Sequence, residues 1–99
     1  MWTLQTSGSG DDPLVFRLLP GAVKTVGRSA GADFIVDAAL VSRVHCRLTA
    51  VDGRVEVVDL QSTNGTFIND QRVATGEMTS GDRLRVGRVE LTATWAERA

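Results

Sequence analysis

The sequence predicts an all-β fold, an antiparallel sandwich or barrel of short strands. Apolar and polar residues alternate along several segments, whereas no segment repeats its apolar residues with the period of a helix. Turn sequences such as Asn64-Gly65 and Gly81-Asp82 separate these segments at short intervals. Short alternating segments that are joined by short turns are typical of antiparallel sandwiches and barrels.

The strand that the alternation predicts most clearly is 89–95. Its apolar face carries Val89, Leu91, Ala93 and Trp95. The glutamate and threonines between them lie on the opposite face, which is therefore expected to meet water. The other strands predicted from alternation, or from β-branched and aromatic residues, are 2–5, 15–19, 23–26, 34–36, 46–50, 55–58, 66–68 and 83–86.

Two segments depart from simple alternation. In the strand 55–58 the pattern slips at Val57-Val58, which indicates either a bulge or a strand that is covered on both faces. Residues 7–12 read SGSGDD and are too polar to pack. We expect a flexible loop over 7–13 between the first two strands, and an N-terminal tail is the alternative.

Length and charge limit the possible classes of protein. The chain has 99 residues, enough for one core, so residues 1–99 are interpreted as a single domain. A formal net charge of −1 argues against partners that need a broad basic surface, namely nucleic acid and anionic membranes. No signal peptide or membrane-spanning run is recognised. The sequence therefore predicts a cytoplasmic protein, expected to be a monomer.

The cysteine and histidine content argues against a metal site. Cys46 is the only cysteine and His45 the only histidine, so an internal disulfide and a structural zinc site are excluded. We expect no metal and no cofactor, and Cys46 is predicted to be a buried, inert thiol. Ten of the eleven basic residues are arginines, which suit bidentate recognition of carboxylate or phosphate. A local anion site therefore remains possible.

Four loop motifs, which have ordinary structural explanations when each is taken alone, resemble one family when they are taken together. The motifs are Gly27-Arg28, Ser42-Arg43-Val44-His45, Ser62-Thr63-Asn64-Gly65-Thr66-Phe67-Ile68-Asn69 and Gly81-Asp82-Arg83-Leu84-Arg85-Val86-Gly87. In this order and spacing they resemble the forkhead-associated (FHA) domain family over about 15–95. The resemblance implies an eleven-stranded β-sandwich of two twisted sheets, whose loops at one end bind phosphothreonine in an extended peptide.

The resemblance also implies which residues bind the phosphate. Arg28 and Ser42 are expected to contact it directly, and Thr63 and Arg43 to complete the pocket. The chemistry of these residues agrees, because phosphothreonine carries about −1.5 to −2 charges and three acceptor oxygens. Such a group requires several converging donors, which arginine guanidinium and serine or threonine hydroxyl groups supply. Whether Arg43 points into the pocket or towards an acidic residue of the peptide stays open.

The remaining motif residues are expected to hold the peptide or to support the site. Asn64 is predicted to clamp the peptide backbone, because its amide offers both a donor and an acceptor. Gly65 is expected to supply a positive φ in the turn. By the resemblance, Gly27 lets the backbone pass closely, and His45 braces the Ser42 loop through hydrogen bonds.

The predicted function is phosphothreonine-dependent binding of partner proteins, downstream of a Ser/Thr kinase and without catalysis. The main alternative is a β-sandwich that binds other proteins independently of phosphate. A remote alternative is a hydrolase that uses Ser42, His45 and a carboxylate such as Asp59. Nothing in the sequence resembles a nucleophile elbow or a prepared oxyanion hole, which argues against the hydrolase.

Overall fold

The structure, a computed structural model, describes residues 1–6 and 13–96. The predicted loop at 7–12 lies outside the described residues. Within them the chain forms strands, turns and loops, so the prediction of an all-β fold is confirmed. The strands, in chain order, are β1 (Trp2–Thr6), β2 (Val15–Leu18), β3 (Val23–Gly27), β4 (Phe34–Ile35), β5 (Cys46–Val51), β6 (Arg54–Asp59), β7 (Thr66–Ile68), β8 (Gln71–Val73), β9 (Thr75–Met78), β10 (Arg83–Val86) and β11 (Val89–Trp95).

The strands form two sheets. The first sheet has six strands in the order β2-β1-β11-β10-β7-β8, and the second has five in the order β4-β3-β5-β6-β9. The pairings are antiparallel apart from the short β3–β4 pair, which is parallel. The eleven-stranded sandwich that the resemblance implies is therefore present.

One apolar core fills the space between the sheets. Leu84 and Leu91 of the first sheet and Leu48 and Val57 of the second belong to it and are fully buried. Each such side chain stabilises the fold by about 1.5–3 kcal/mol. These residues occupy alternate positions along their strands, so the apolar alternation of the sequence determines which strand faces enter the core.

The apolar face of β11 is buried in its middle and not at its end. Leu91 and Ala93 are fully buried, whereas Trp95 remains 37% exposed. The indole of Trp95 packs against Trp2, with 5.4 Å between ring centroids. Trp2 is thus covered by its neighbour at the end of β11.

The strands β8 and β9 were not predicted from the sequence. β8 follows a two-residue turn in which Asn69 and Asp70 have positive φ angles of 50° and 69°. That backbone matches the twist of an antiparallel hairpin, so the turn pairs β8 with β7 although β8 itself shows no apolar alternation. β9 contains Gly76 and Glu77, two residue types that are uncommon in strands, so its sequence does not predict a strand. Its strand conformation comes from pairing with β6.

The slip at Val57-Val58 is not a bulge. β6 pairs with β5 residue by residue from Arg54 to Asp59. Val57 is buried in the core, and Val58 lies half-buried on the outer face between β5 and β9. The bulge interpretation is therefore wrong, and the extra apolar residue partly covers the outer face of a central strand.

Among the residues for which the structure gives positions, none belongs to a helix with the length and apolar character needed to cross a membrane.

Candidate functional site

Three loops meet at one end of the sandwich and form an open pocket of about 680 Å³. They are the loop that begins after β3, the loop 36–45 between β4 and β5, and the loop 60–65 between β6 and β7. The residues that line the pocket are Arg28, Ala39, Leu40, Val41, Ser42, Arg43, Val44, Gln61, Thr63 and Asn64. The structure therefore brings together all of the residues that the sequence assigned to ligand contact: Arg28, Ser42, Arg43, Thr63 and Asn64.

Arg28 is held in place by the neighbouring loop. Its backbone N–H donates to the carbonyl oxygen of Ser42 at 2.9 Å, and its Nε donates to the carbonyl oxygen of Val41 at 3.1 Å. The side chain is exposed, and its terminal nitrogens bond to no protein group within residues 1–6 and 13–96. The guanidinium is thus oriented through Nε while its two terminal nitrogens remain able to donate into the pocket.

Gly27 permits the close approach that places Arg28 beside Ser42. A Cβ at position 27 would lie 2.0 Å from the carbonyl oxygen of Arg43, far inside van der Waals contact. Beyond this contact, the N–H of Ser29 donates to the same carbonyl at 3.2 Å. The end of β3 and the Ser42 loop therefore touch backbone to backbone, and a residue with a side chain cannot occupy position 27 without a shift.

The fully buried imidazole of His45 connects two of the pocket loops. Its Nδ1 accepts a hydrogen bond from the N–H of Ser42 at 3.0 Å, and its Nε2 lies 2.8 Å from the carbonyl oxygen of Gly65. A carbonyl can only accept, so Nε2 carries the proton and Nδ1 does not. The neutral ring satisfies one backbone group of each loop.

Asp59 organises the turn that carries Thr63 and Asn64. Its carboxylate accepts hydrogen bonds from the hydroxyl groups of Ser62 and Thr66, the latter at 2.7 Å, and from the N–H of Ser62 at 3.2 Å. Burial alone would raise the pKa of Asp59, but these hydrogen bonds outweigh it and hold the pKa below the ordinary 3.8.

This geometry differs from that of a hydrolase triad. The imidazole of His45 meets the backbone N–H of Ser42 and not its hydroxyl group. The hydroxyl oxygen of Ser42 instead accepts the N–H of Thr63 at 3.0 Å, and Asp59 is bonded to Ser62 and Thr66. Cys46 is also unsuited to nucleophilic chemistry, because burial, followed by the charge of Asp59, raises the pKa of its thiol to about 12.

The hydroxyl group of Ser42 retains its donor capacity. Since it accepts a hydrogen bond from Thr63, its own proton is free to point into the pocket. Thr63 lies at the pocket surface with an exposed side chain, as does Arg43 on the opposite loop. Of the residues that line the pocket, two are arginines and none carries a carboxylate, so the described lining is positively charged.

Asn64 bridges the pocket loops at the surface. Its Nδ2 donates to the carbonyl oxygen of Leu40 at 3.1 Å, which leaves one N–H and the amide oxygen available. The neighbouring Gly65 has a φ of 92°, as the turn sequence predicts. The two residues do not form a hairpin, because β6 and β7 belong to different sheets.

Leu40, Val44 and Gln61 line the pocket and were missed by sequence analysis. Leu40 and Gln61 adopt positive φ angles of 71° and 58°, which are uncommon for residues with side chains and have no sequence signal. The apolar side chains of Leu40 and Val44 would suggest core positions in the sequence, but each residue is 45% exposed. None of the described residues form a group of histidine, cysteine and acidic side chains that could hold a metal ion.

Comparison with known proteins gives consistent results. Residues 24–87 match the family model for the FHA domain. Over 82 residues the chain is 35% identical to the oxoglutarate dehydrogenase inhibitor of Corynebacterium diphtheriae, an alignment that covers 83% of this chain and 57% of that protein. The chain therefore spans little more than half of that relative's length.

Solved structures with related sequences have the same fold. One comes from a structural and functional analysis of phosphothreonine-dependent FHA domain interactions, with 31% identity, a TM-score of 0.84 and coverage of 98% of each chain. Another is the FhaA FHA domain in complex with the intracellular domain of Rv3910. It has 32% identity and a TM-score of 0.80, and the match covers 94% of this chain and 99% of that one.

Proposed function

The chain belongs to the forkhead-associated (FHA) domain family, and on this premise we propose that its loop pocket binds phosphothreonine in partner proteins. The observation that carries the proposal is the convergence of Arg28, Ser42 and Thr63 from three loops on one pocket. Arginine and hydroxyl donors without a carboxylate among the described lining residues suit a dianion with three acceptor oxygens.

Arg28 is the principal phosphate contact in this proposal. Its Nε is anchored to Val41, so less side-chain freedom is lost when the terminal nitrogens bind the phosphate. Arg43 adds a second positive charge from the loop that faces it. Ser42 and Thr63 contribute hydroxyl donors. The buried ring of His45 holds Ser42 in position by accepting a hydrogen bond from its backbone N–H.

Asn64 holds the peptide backbone on either side of the phosphothreonine. Its free N–H and amide oxygen match one carbonyl and one N–H of an extended chain, whatever the side chains of that chain are. The Leu40 contact fixes the amide before the peptide arrives. Gly65 supplies the turn conformation, and His45 and Gly27 act as structural supports.

The magnitudes are consistent with a phosphate-dependent switch. A hydrogen bond to a charged group contributes about 1.5–3 kcal/mol, so four phosphate donors supply about 6–12 kcal/mol before the peptide is ordered. A micromolar complex corresponds to about −8 kcal/mol. Since ordering the peptide consumes part of the gain, short peptides are expected to bind around micromolar and unphosphorylated ones far more weakly.

The biological role follows from this dependence on phosphate. A Ser/Thr kinase acts upstream by creating the phosphothreonine, and the domain links that modification to assembly without a chemical step of its own. The setting that we propose is the cytoplasm. The competing function is phosphate-independent binding through a sheet face.

A phosphothreonine peptide library decides between these functions. The library is bound to the purified domain, and the same library after phosphatase treatment is the control. Phosphate-dependent retention supports the proposal, whereas equal retention of both libraries supports the competing function. Binding of neither library contradicts the proposed function.

A further inference from the structure

We propose that Arg72 forms a second anion contact beside the phosphothreonine pocket, for an acidic or phosphorylated side chain of the same partner. The proposal rests on the proposed function and extends it to a residue outside the pocket lining. It starts from a contact between Arg72 and Gly65. A Cβ built on Gly65 would lie 2.7 Å from Nε and 3.0 Å from Cζ of Arg72, so the guanidinium lies against the backbone of Gly65.

This contact places the Arg72 guanidinium on a surface next to the loop 60–65 of the pocket. Arg72 lies on β8, at the edge of the six-stranded sheet, and faces Phe67 of β7 across the pair. Gly65 is buried beneath the guanidinium, while Arg72 itself is exposed. The arginine therefore packs on the turn that carries Thr63 and Asn64, with its donors in contact with water.

The charge of Arg72 has no partner in the described part of the chain. The neighbouring arginines are engaged: Arg85 lies 4.1 Å from the ring centroid of Phe67, and its Nε is 3.9 Å from a carboxylate oxygen of Asp70. The same carboxylate lies 3.8 Å from Arg83. Within residues 1–6 and 13–96, Arg72 forms neither an ion pair nor a side-chain hydrogen bond.

The distances bring Arg72 within reach of a bound peptide. Consecutive Cα atoms are about 3.8 Å apart, so the Gly65 backbone lies roughly 4 Å from Asn64 and at most 8 Å from Thr63. An extended peptide advances about 3.3 Å per residue. An anionic side chain within about three residues of the phosphothreonine can therefore meet the guanidinium.

Gly65 gives Arg72 a defined position that a solvated surface arginine lacks. Because glycine has no side chain, the space above its α-carbon is filled by the Arg72 guanidinium. A cation that is already ordered by packing loses less freedom when it binds an anion. Gly65 therefore has two roles, since its positive φ shapes the turn and its missing side chain admits Arg72.

The test compares Arg72→Gln with the wild type on a set of phosphothreonine peptides. In one series aspartate replaces alanine at each of the three positions before and after the phosphothreonine, and in a second series phosphoserine is used at the same positions. Affinities are measured by fluorescence polarisation. We expect at least one anionic position to tighten wild-type binding two- to fivefold, a modest gain because the pair is exposed.

Arg72→Gln should lose that gain while it binds the all-alanine phosphothreonine peptide as the wild type does. Arg17→Gln, at the opposite edge of the same sheet, is the matched control and should keep the gain. Loss for aspartate peptides identifies a carboxylate ligand, and loss for phosphoserine peptides alone identifies a phosphate. No gain at any position, or a gain that survives in Arg72→Gln, overturns this proposal alone. No binding of the all-alanine peptide overturns the proposed function and this proposal with it.

Discussion

His45 Nε2 donates a hydrogen bond to the carbonyl oxygen of Gly65 over 2.8 Å and thereby joins two loops of different origin. The Ser42 loop connects strands of the five-stranded sheet, whereas the loop that contains Gly65 crosses to the six-stranded sheet. Because Nδ1 of the same ring accepts the N–H of Ser42, one buried side chain fixes the distance between the proposed phosphate donors of both loops.

Replacement of His45 by alanine should destabilise the domain by about 2–6 kcal/mol, because a partly buried backbone donor and a buried acceptor each lose a partner at about 1–3 kcal/mol. The free energy of unfolding is measured by urea denaturation. Val44→Ala, in the same loop and half exposed, is the control and should change stability by less than about 1 kcal/mol. Equal free energies of unfolding for His45→Ala and Val44→Ala would show that the ring does not stabilise the contact between the loops.

Gly27→Ala should destabilise the domain by about 3 kcal/mol or more, because its Cβ would meet the Arg43 carbonyl oxygen at 2.0 Å and a backbone segment must move. Gly31→Ala is the matched control. Its Cβ would have its nearest neighbour at 3.6 Å, in ordinary contact with the Ser29 hydroxyl oxygen. This variant should be as stable as the wild type or up to about 1 kcal/mol more stable. Thermal melting of both variants checks the contrast, and similar melting temperatures would contradict it.

Much of the sandwich was predictable because the core strands carry an alternation of apolar and polar residues within their own sequence. Leu91 and Ala93 of β11 alternate with polar residues, and that pattern alone assigned their face to the core. β9 gives no such signal, since its pairing with β6 is a contact between distant segments. Gly76 in β9 is explained only by the folded structure, in which its Cβ would approach the Ile68 side chain to 2.9 Å.

The candidate site was predictable to the extent that its chemistry resides in motif residues. Arg28 and Ser42 stand out by their donors and by their place in a recognisable series of loop sequences. Leu40 and Gln61 do not, because their place in the pocket depends on positive φ angles that the surrounding loops impose. The role inferred for Arg72 likewise depends on a contact across β7 and β8 that no local pattern encodes.

Arg28→Ala should weaken a phosphothreonine peptide by about 2–5 kcal/mol, because the phosphate loses its main charged partner. Stability should change by less than about 1 kcal/mol, since only the partly exposed bond to Val41 is removed from the protein. Polarisation titrations measure the affinity, and urea denaturation measures the stability. Arg17→Ala removes an exposed arginine on β2 and should leave both quantities unchanged. Unaltered affinity in Arg28→Ala would remove Arg28 from the site.

Asn64→Ala tests whether the turn also serves as a clamp. Loss of two neutral hydrogen bonds to the peptide backbone should weaken binding by about 1–3 kcal/mol. The only hydrogen bond of the Asn64 side chain within the described residues is the exposed one to Leu40, so the free energy of unfolding should fall by less than about 1 kcal/mol.

Asn69→Ala is the control for Asn64→Ala, because it should lower stability without changing peptide affinity. The Asn69 side chain bonds to Asp82 at 3.1 Å and to the N–H of Arg83 at 3.0 Å, away from the pocket, and its backbone has a positive φ. Its removal should cost about 1–2 kcal/mol of stability and leave peptide affinity unchanged. Titration and denaturation of both variants therefore separate a clamp from a plain turn. If Asn64→Ala lost stability and kept its affinity, as Asn69→Ala is expected to do, Asn64 would be a turn residue alone.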